Sequence, residues 1–234
     1  MLKLYTHPIS QPARTVTWLM TWKMQQGKDF ELIHVNPGSN KKNGSRSPTY
    51  LSKTDNVGYV PMLELPSGQC IYESNAILTY LAQKYNWSDL YPASIEERAT
   101  IHQYFNWHHA NMRNITLSRF APLVRLDLKF NEQVIAYQYK SAQAALHNIE
   151  ARLARSRYIC GESLTLADFA AAGEILQTLD EFCGMLDENK YVNIVRWSKL
   201  MKSFPKFEES HQTLSKFSQK MFKKNWEKAG RSKL

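Results

Sequence analysis

The 234-residue sequence has few cysteines, no long apolar run and no surplus of acidic residues. Its three cysteines, Cys70, Cys160 and Cys183, form no CxxC pair, which argues against a disulfide framework and a zinc site and favours a reducing compartment. No apolar stretch approaches the roughly 20 residues that cross a bilayer, and the start MLKLYTH has no secretory h-region. We therefore expect a cytoplasmic protein without stable membrane association.

Positive charge is present in excess, and most of it lies near one end. Residues 199–234 contain ten Lys and Arg against three Asp and Glu, whereas the formal net charge of the whole chain is +9. This segment is interpreted either as a solvated helix face with a frayed tail or as a contact for an acidic partner or a membrane surface. Phe222 and Trp226 lie among its lysines, but no nucleic-acid-binding motif is present, so we predict no nucleic-acid partner.

The first part of the chain alternates between strand and helix patterns. The predicted strands are 2–5, 30–35, 61–65 and 69–72, and the predicted helices are 12–26 and 74–85. Residues 36–49 are rich in Gly, Pro, Ser and Asn and are predicted to form an irregular loop. The order β-α-β, loop, β-β-α predicts an α/β domain of thioredoxin-like type at 1–86.

After a linker at 87–93 the strand patterns end. Amphipathic stretches begin at Ser94 and recur at 132–155, 166–180, 191–203 and 211–228. They predict an all-helical domain at 93–234, so the fold class is α/β followed by all-α.

Ser10 lies where the first strand gives way to the first helix, and two roles are open for it. Ser is a favoured N-cap, and Pro12 suits a first helical turn. Ala13 excludes the reciprocal capping box, however. The alternative is that the Ser10 hydroxyl faces a substrate.

Two further features would support a substrate near Ser10. A cis bond between Val60 and Pro61 would leave the Val60 N–H and C=O free to pair with an extended peptide. Glu73 and Ser74 mark the end of a strand and the start of a helix, where Ser74 is a natural cap and the free amides attract a carboxylate. Capping explains Ser74 but not the acidic residue beside it. Glu73 would attract the ammonium group of a ligand.

The loop at 36–49 carries Lys41, Lys42 and Arg46. It is either a flexible solvated loop or a cationic cover for a carboxylate ligand. Together with the features above, the second interpretation describes a site for an extended, peptide-like ligand that is zwitterionic at one end and anionic at the other.

The sequence resembles the glutathione transferase family, most closely its theta-like branch that uses a serine. The resemblance spans essentially the whole chain, and its motifs are SQPAR at 10–14, VP at 60–61, ESNAILTYLAQKY at 73–85, WHHANMR at 107–113 and GESLTLADF at 161–169. It implies a detoxifying transferase with glutathione as co-substrate, a small electrophile as second substrate, a homodimer and no metal.

The resemblance also implies roles for individual residues. Ser10 matches the serine that hydrogen-bonds the glutathione sulfur, and Arg113 matches an arginine directed towards the active site. The positions expected to contact glutathione are Gln11, Arg46, Val60, Pro61, Glu73 and Ser74. Where relatives often have a histidine or lysine for the glycyl carboxylate, this chain offers Arg46 and, nearer the proline, Gly58. Thr165 and Asp168 match an internal helix cap.

A hydroxyl group is sufficient for the predicted chemistry. A free thiol has a pKa of about 8.5, and a hydrogen bond to its anion is worth roughly 1.5–3 kcal/mol, or about one to two pKa units. The helix N-terminus adds a few tenths of a kcal/mol. We therefore predict that Ser10 stabilises the glutathione thiolate, which then attacks halides, epoxides, peroxides or sulfate esters.

Two alternatives stay open. The fold is also used by non-catalytic binding modules, such as translation-factor subunits. His108 and His109 would form a metal site only with a third ligand, and adjacent residues point apart on a helix, so packing is the preferred role of both.

Overall fold

The computed structural model describes residues 1–124, 128–218 and 234, and these form two compact units. The first unit is Met1–Ser88 with Pro205–Thr213, and the second is Asp89–Phe204 with the described part of Leu214–Leu234. The first unit therefore includes a stretch, Pro205–Thr213, that the sequence pattern assigned to the helical domain at 93–234.

The first unit is built on one mixed sheet. Its elements are β1 (Leu2–Thr6), α1 (Gln11–Lys23), β2 (Phe30–His34), α2 (Pro48–Leu51), β3 (Met62–Glu64), β4 (Cys70–Tyr72) and α3 (Ser74–Lys84). The strand order is β2-β1-β3-β4, with β1 parallel to β2 and antiparallel to β3. The predicted thioredoxin-like α/β fold is confirmed.

The apolar pattern explains the layers of this unit. In β1, alternate residues such as Leu2 and Leu4 are buried, as expected for a strand with one face on the core. Leu19 of α1 and Leu81 of α3 have no exposed surface. Helix α1 ends at Lys23, earlier than predicted, because Met24 already has an extended backbone.

The stretch Pro205–Thr213 packs on α1. The Trp18 indole donates its Nε1–H to the Pro205 carbonyl at 2.8 Å, and its ring meets the rings of Phe207 and His211 edge to face. His211 is 2% exposed, and burial holds its pKa well below the usual range, so the imidazole is neutral. This contact fixes the outer face of α1.

The second unit is helical throughout its described part, as predicted. Its helices are α4 (Ile95–Ala110), α5 (Arg113–Ile115), a π-helix (Thr116–Phe120), α6 (Ala121–Val124), α7 (Glu132–Leu153), α8 (Leu166–Ile175), a 3-10 turn (Leu176–Thr178) and α9 (Val192–Lys202). The last helix, α10 (Phe207–Phe217), crosses the boundary between the units. The rest of the helix predicted at 211–228, with Phe222 and Trp226, lies outside the described residues. No helix of the described ranges is long and apolar enough to cross a membrane.

The helix that begins after Ser94 is interrupted earlier than its apolar pattern predicts. Ser94 caps it by accepting the Glu97 N–H at 3.3 Å, but α4 stops at Ala110. The Asn111 side chain donates to the Trp107 carbonyl at 2.8 Å, and Asn114 donates to the Ala110 carbonyl at 3.0 Å. At Asn114 the side chain takes the helix carbonyl of Ala110 while its own N–H donates to the Asn111 carbonyl at 3.1 Å, so this amide competes with the helical backbone where α4 ends.

Asp168 is the polar centre of the second unit. Its fully buried carboxylate accepts the N–H and hydroxyl of Thr165 at 3.0 and 3.1 Å, the Ile159 N–H at 2.8 Å and the Trp197 indole N–H at 3.0 Å. Burial nevertheless raises the pKa of Asp168 to about 6. The predicted internal cap formed by Thr165 and Asp168 is confirmed, and it also ties two other segments to α8.

Candidate functional site

One end of the sheet collects the predicted site residues of the first unit. Tyr5 in β1 lies opposite Met62 in β3, which lies opposite Tyr72 in β4. The segment leading from β1 to Ser10, the Val60–Pro61 bond and Glu73 therefore lie at the same end of three neighbouring strands. The sequence predicted these features separately, and the register brings them together.

Ser10 occupies the N-cap position of α1, but its side chain does not cap the helix. The hydroxyl instead donates to the Val60 carbonyl at 3.3 Å, which is long for an O–H···O bond and therefore weak. Gln11 follows as the first helical residue and is 5% exposed. Of the two roles left open by the sequence, side-chain capping is wrong for Ser10.

The segment before Ser10 holds a histidine that does not activate the serine. The Ile9 N–H donates to His7 Nδ1 at 3.2 Å, whereas the Ser10 hydroxyl is directed to Val60. Burial, and secondarily the neighbouring His34, lowers the pKa of His7 to about 4, so this ring is neutral at pH 7. Ser10 is therefore a hydrogen-bond donor and not part of a Ser–His nucleophile pair.

Arg14 supports the same segment from within α1. It is 1% exposed, and its Nη1 donates to the Pro8 and Ile9 carbonyls at 3.4 and 3.5 Å. The SQPAR motif contains this residue, but no role was predicted for it. No signal in the sequence indicated it, because its bonds run to backbone carbonyls of the segment before the helix.

The Val60–Pro61 peptide bond is cis. The Val60 carbonyl accepts the Ser10 hydroxyl, and the Val60 N–H has no hydrogen-bond partner within the described ranges. A backbone donor and acceptor of one residue thus lie beside Ser10, in the arrangement that an added peptide strand uses.

Gly58 lies in the turn before Pro61, in a backbone conformation that favours glycine. Its φ is +68°, and a Cβ there would lie 2.6 Å from the Ser45 carbonyl oxygen. No side chain fits at this position, so a basic residue at 58 is excluded. The exposed Arg46 lies next to it, and its Nη1 donates to the Val57 carbonyl at 3.2 Å.

The loop that carries Lys41 and Lys42 is irregular but internally bonded. Ser45 makes two bonds across the loop: its N–H donates to the Asn36 carbonyl at 3.0 Å, and its Oγ accepts the Gly38 N–H at 3.0 Å. Lys41 and Lys42 are exposed. The last two residues of the predicted loop, 48 and 49, instead begin α2, because Ser47 caps this helix by accepting the Tyr50 N–H.

Glu73 and Ser74 are placed differently from the capping interpretation. Glu73 is the N-cap of α3 and Ser74 is the first helical residue, so Ser74 as the cap is wrong. Neither side chain has a hydrogen-bond partner in the described part of the chain. Glu73 has a φ of +70°, which is costly for a residue with a side chain and often marks a functional position.

Arg113 lies in the second unit, as the first residue of α5. Its Nη1 donates to Glu174 Oε1 at 2.7 Å, and the Glu174 side chain is fully buried. Thr116 and Gln177 also donate to Glu174 Oε2, at 2.6 and 3.2 Å. The sequence pattern did not indicate this pairing, because 61 residues separate the two partners.

The histidine pair in the second unit is not a metal site. His108 is 5% exposed, meets the Tyr104 hydroxyl at 3.2 Å, and has its pKa lowered to about 3 by burial, whereas His109 is exposed. Packing is thus confirmed for His108 but not for His109. No three His, Cys, Asp or Glu side chains among the described residues are arranged to hold a metal ion.

Comparisons with known proteins match both parts of the chain. The description "Glutathione S-transferase, N-terminal domain" matches residues 4–89, and "Glutathione S-transferase, C-terminal domain" matches residues 101–205. A solved epsilon-class glutathione S-transferase from the housefly, Musca domestica, has a TM-score of 0.78 and 26% identity, with 100% of each chain covered.

Two named relatives represent different kinds of protein. Glutathione S-transferase theta-2 of Rattus norvegicus is 28% identical over 210 residues, which is 87% of this chain and 81% of the rat protein. Elongation factor 1-gamma of Artemia salina is 27% identical over 198 residues, which is 83% of this chain and 43% of that protein.

Proposed function

Because the chain belongs to the glutathione S-transferase family, whose co-substrate is glutathione, we propose that it conjugates the glutathione thiolate to small electrophiles. The candidate electrophiles are halides, epoxides, peroxides and sulfate esters. The observation that carries the proposal is the Ser10 hydroxyl, which makes no helix cap and lies beside the Val60 backbone.

The first unit offers groups that suit each part of the tripeptide. Val60 supplies a backbone donor and acceptor for the cysteinyl part, and Pro61 fixes the turn. Glu73, Ser74 and the α3 N-terminus suit the γ-glutamyl ammonium and carboxylate.

Two further residues complete the proposed glutathione site. Arg46 suits the glycyl carboxylate, since Gly58 leaves no room for a basic side chain. Gln11, which lies directly after Ser10, is buried and is the second of these residues.

Ser10 acts in this proposal as a donor to an anion. Its resting bond to Val60 is weak, so the hydroxyl can turn to a sulfur anion, where a bond is worth roughly 1.5–3 kcal/mol. That energy lowers the thiol pKa by about one to two units from about 8.5, so a large share of bound thiol is ionised at pH 7. A general base is not required.

Binding to immobilised glutathione, followed by conjugation assays on a panel of halides, epoxides and peroxides, tests the function. We expect elution by free glutathione and turnover of at least one class. Binding without turnover of any electrophile would instead favour a non-catalytic module, an alternative supported by the likeness to elongation factor 1-gamma. Absence of binding contradicts both.

Arg113 is proposed to assist departure of an anionic leaving group. Removing Arg113 alone would leave the buried Glu174 charge unpaired, at a cost of about 3–5 kcal/mol of stability. The test therefore uses the double variant Arg113→Gln, Glu174→Gln, with Glu174→Gln as its control. We expect the double variant to lose about five- to tenfold in kcat/KM with halide or sulfate leaving groups and less with neutral ones. Equal losses count against the role.

We also propose a cytoplasmic homodimer that detoxifies electrophiles, with domains near 1–86 and 93–234 and with the helical domain contributing the electrophile site. The few unpaired cysteines and the family membership support this proposal. Sedimentation analysis at micromolar concentration tests the oligomeric state.

A further inference from the structure

Four side chains from other segments hold the turn that precedes Pro61, one at each of its residues. Arg46 donates to the Val57 carbonyl at 3.2 Å, Thr54 accepts the Gly58 N–H at 3.1 Å, Tyr50 donates to the Tyr59 carbonyl at 2.7 Å, and Ser10 donates to the Val60 carbonyl at 3.3 Å. The bond from Tyr50 is the shortest of these four.

Tyr50 has little freedom to move away from this turn. Its side chain is 5% exposed and belongs to a buried cluster with Val35 and Met62, against which Val60 packs. The Tyr5 ring meets it edge to face at 5.8 Å. Burial raises the pKa of the Tyr50 phenol, so it stays a proton donor across the neutral and mildly alkaline range.

We propose that Tyr50 is a positioning residue for glutathione, because its hydroxyl holds the Tyr59 carbonyl and so fixes the adjacent Val60 peptide edge. This inference rests on the proposed function and adds to it a residue that does not itself touch the substrate.

The hydrogen bond from Tyr50 to Tyr59 is needed because of the role of Ser10. In the resting site Ser10 is bonded to Val60, but it must leave that carbonyl to donate to the sulfur. Among the described residues, no other side chain is then hydrogen-bonded to the Val60 peptide at the moment when it pairs with the ligand. The bond from Tyr50 to Tyr59, one residue earlier, is unaffected by this exchange and keeps the edge in place.

Thr54, four residues after Tyr50, also holds the turn by hydrogen bonds. It is fully buried, donates to the Tyr50 carbonyl at 3.1 Å and accepts the Gly58 N–H. The turn is thus connected to the short helix α2 through two neighbouring groups. Loss of either group should therefore affect the same property, which is glutathione binding.

The test is Tyr50→Phe, which removes one hydroxyl and keeps the ring. Its matched control is Tyr91→Phe in the other unit, where a residue of similar exposure loses a hydroxyl bonded to His102 at 2.8 Å. We expect KM for glutathione to rise about three- to tenfold in Tyr50→Phe, with kcat at saturating glutathione within about twofold of wild type. Tyr91→Phe should keep the wild-type KM.

A KM within about twofold of wild type in Tyr50→Phe overturns the proposal, and so does an equal rise in both variants, since that reports general loosening. If Tyr50→Phe does not fold, Thr54→Val is measured by the same criteria. Wild-type protein that neither binds nor conjugates glutathione contradicts the proposed function itself, which separates that failure from failure of this inference.

Discussion

Replacing Ser10 with alanine is expected to lower kcat/KM for glutathione conjugation at pH 7 by about 10- to 100-fold. The loss corresponds to the roughly 1.5–3 kcal/mol of one hydrogen bond to a thiolate. The folded state should change little, because the Ser10 side chain caps no helix and its bond to Val60 is long. Steady-state kinetics together with thermal unfolding measure the two effects.

Ser94→Ala is the matched control for this variant. Ser94 does cap a helix, by accepting the Glu97 N–H, so its loss should cost about 1 kcal/mol of stability and leave the chemistry of bound glutathione unchanged. We thus expect Ser10→Ala to lower kcat/KM with little change in stability, and Ser94→Ala to lower stability with little change in kcat/KM. An Ser10→Ala enzyme that is destabilised but fully active per folded molecule would return Ser10 to a structural role.

Asp168→Ala is expected to have the largest effect on stability, a loss of about 4 kcal/mol or more at pH 7. The variant leaves the N–H groups of Ile159, Thr165 and Trp197 buried without an acceptor, and each such donor costs about 1–3 kcal/mol. Relief from burying a charge offsets part of this cost, as the raised pKa of Asp168 indicates. Urea unfolding measures the difference.

The raised pKa of Asp168 also decides how the difference in unfolding free energy between wild type and Asp168→Ala changes with pH. Between the ordinary value of 3.8 and about 6, folded wild-type protein binds a proton at Asp168 that the unfolded chain does not. The stability that this proton gives to the folded protein is fully present below the ordinary pKa of 3.8 and is lost as pH rises through about 6. The gap between wild type and Asp168→Ala should therefore widen by about 1 kcal/mol on going from pH 7 to pH 5.

Asp187→Ala controls for loss of an aspartate as such. Within the described residues, its side chain accepts one hydrogen bond, from the Asn189 N–H at 3.2 Å and near the surface, so the loss should stay below about 1 kcal/mol. A comparable loss at both positions contradicts the central role of Asp168 in the helical unit.

Periodicity predicted the layers because each strand and helix buries one regular face. Leu2 and Leu4 alternate in β1, and the helices of the second unit begin within a few residues of their predicted starts. The break after Ala110 was not predicted, since the Asn114 side chain that competes for a helix carbonyl leaves the apolar pattern unchanged.

The site was predictable only where residues were neighbours in sequence or matched a known motif. Ser10, Val60 and Glu73 were found that way. Tyr50 was missed because it lies between the predicted loop at 36–49 and the predicted strand at 61–65, where no element was predicted, and its contact with Tyr59 depends on how that stretch folds back. Glu174 was missed for the same reason, since its partner Arg113 is distant in sequence.

Titration of glutathione while it is bound to wild-type protein and to Ser10→Ala, followed by thiolate absorbance, tests the central claim most directly. The account predicts that half of the wild-type-bound thiol is ionised at about pH 6.5–7, whereas the variant needs about pH 8 or above. Identical titration midpoints in the two complexes would contradict it, because the sulfur anion would then owe nothing to the hydroxyl.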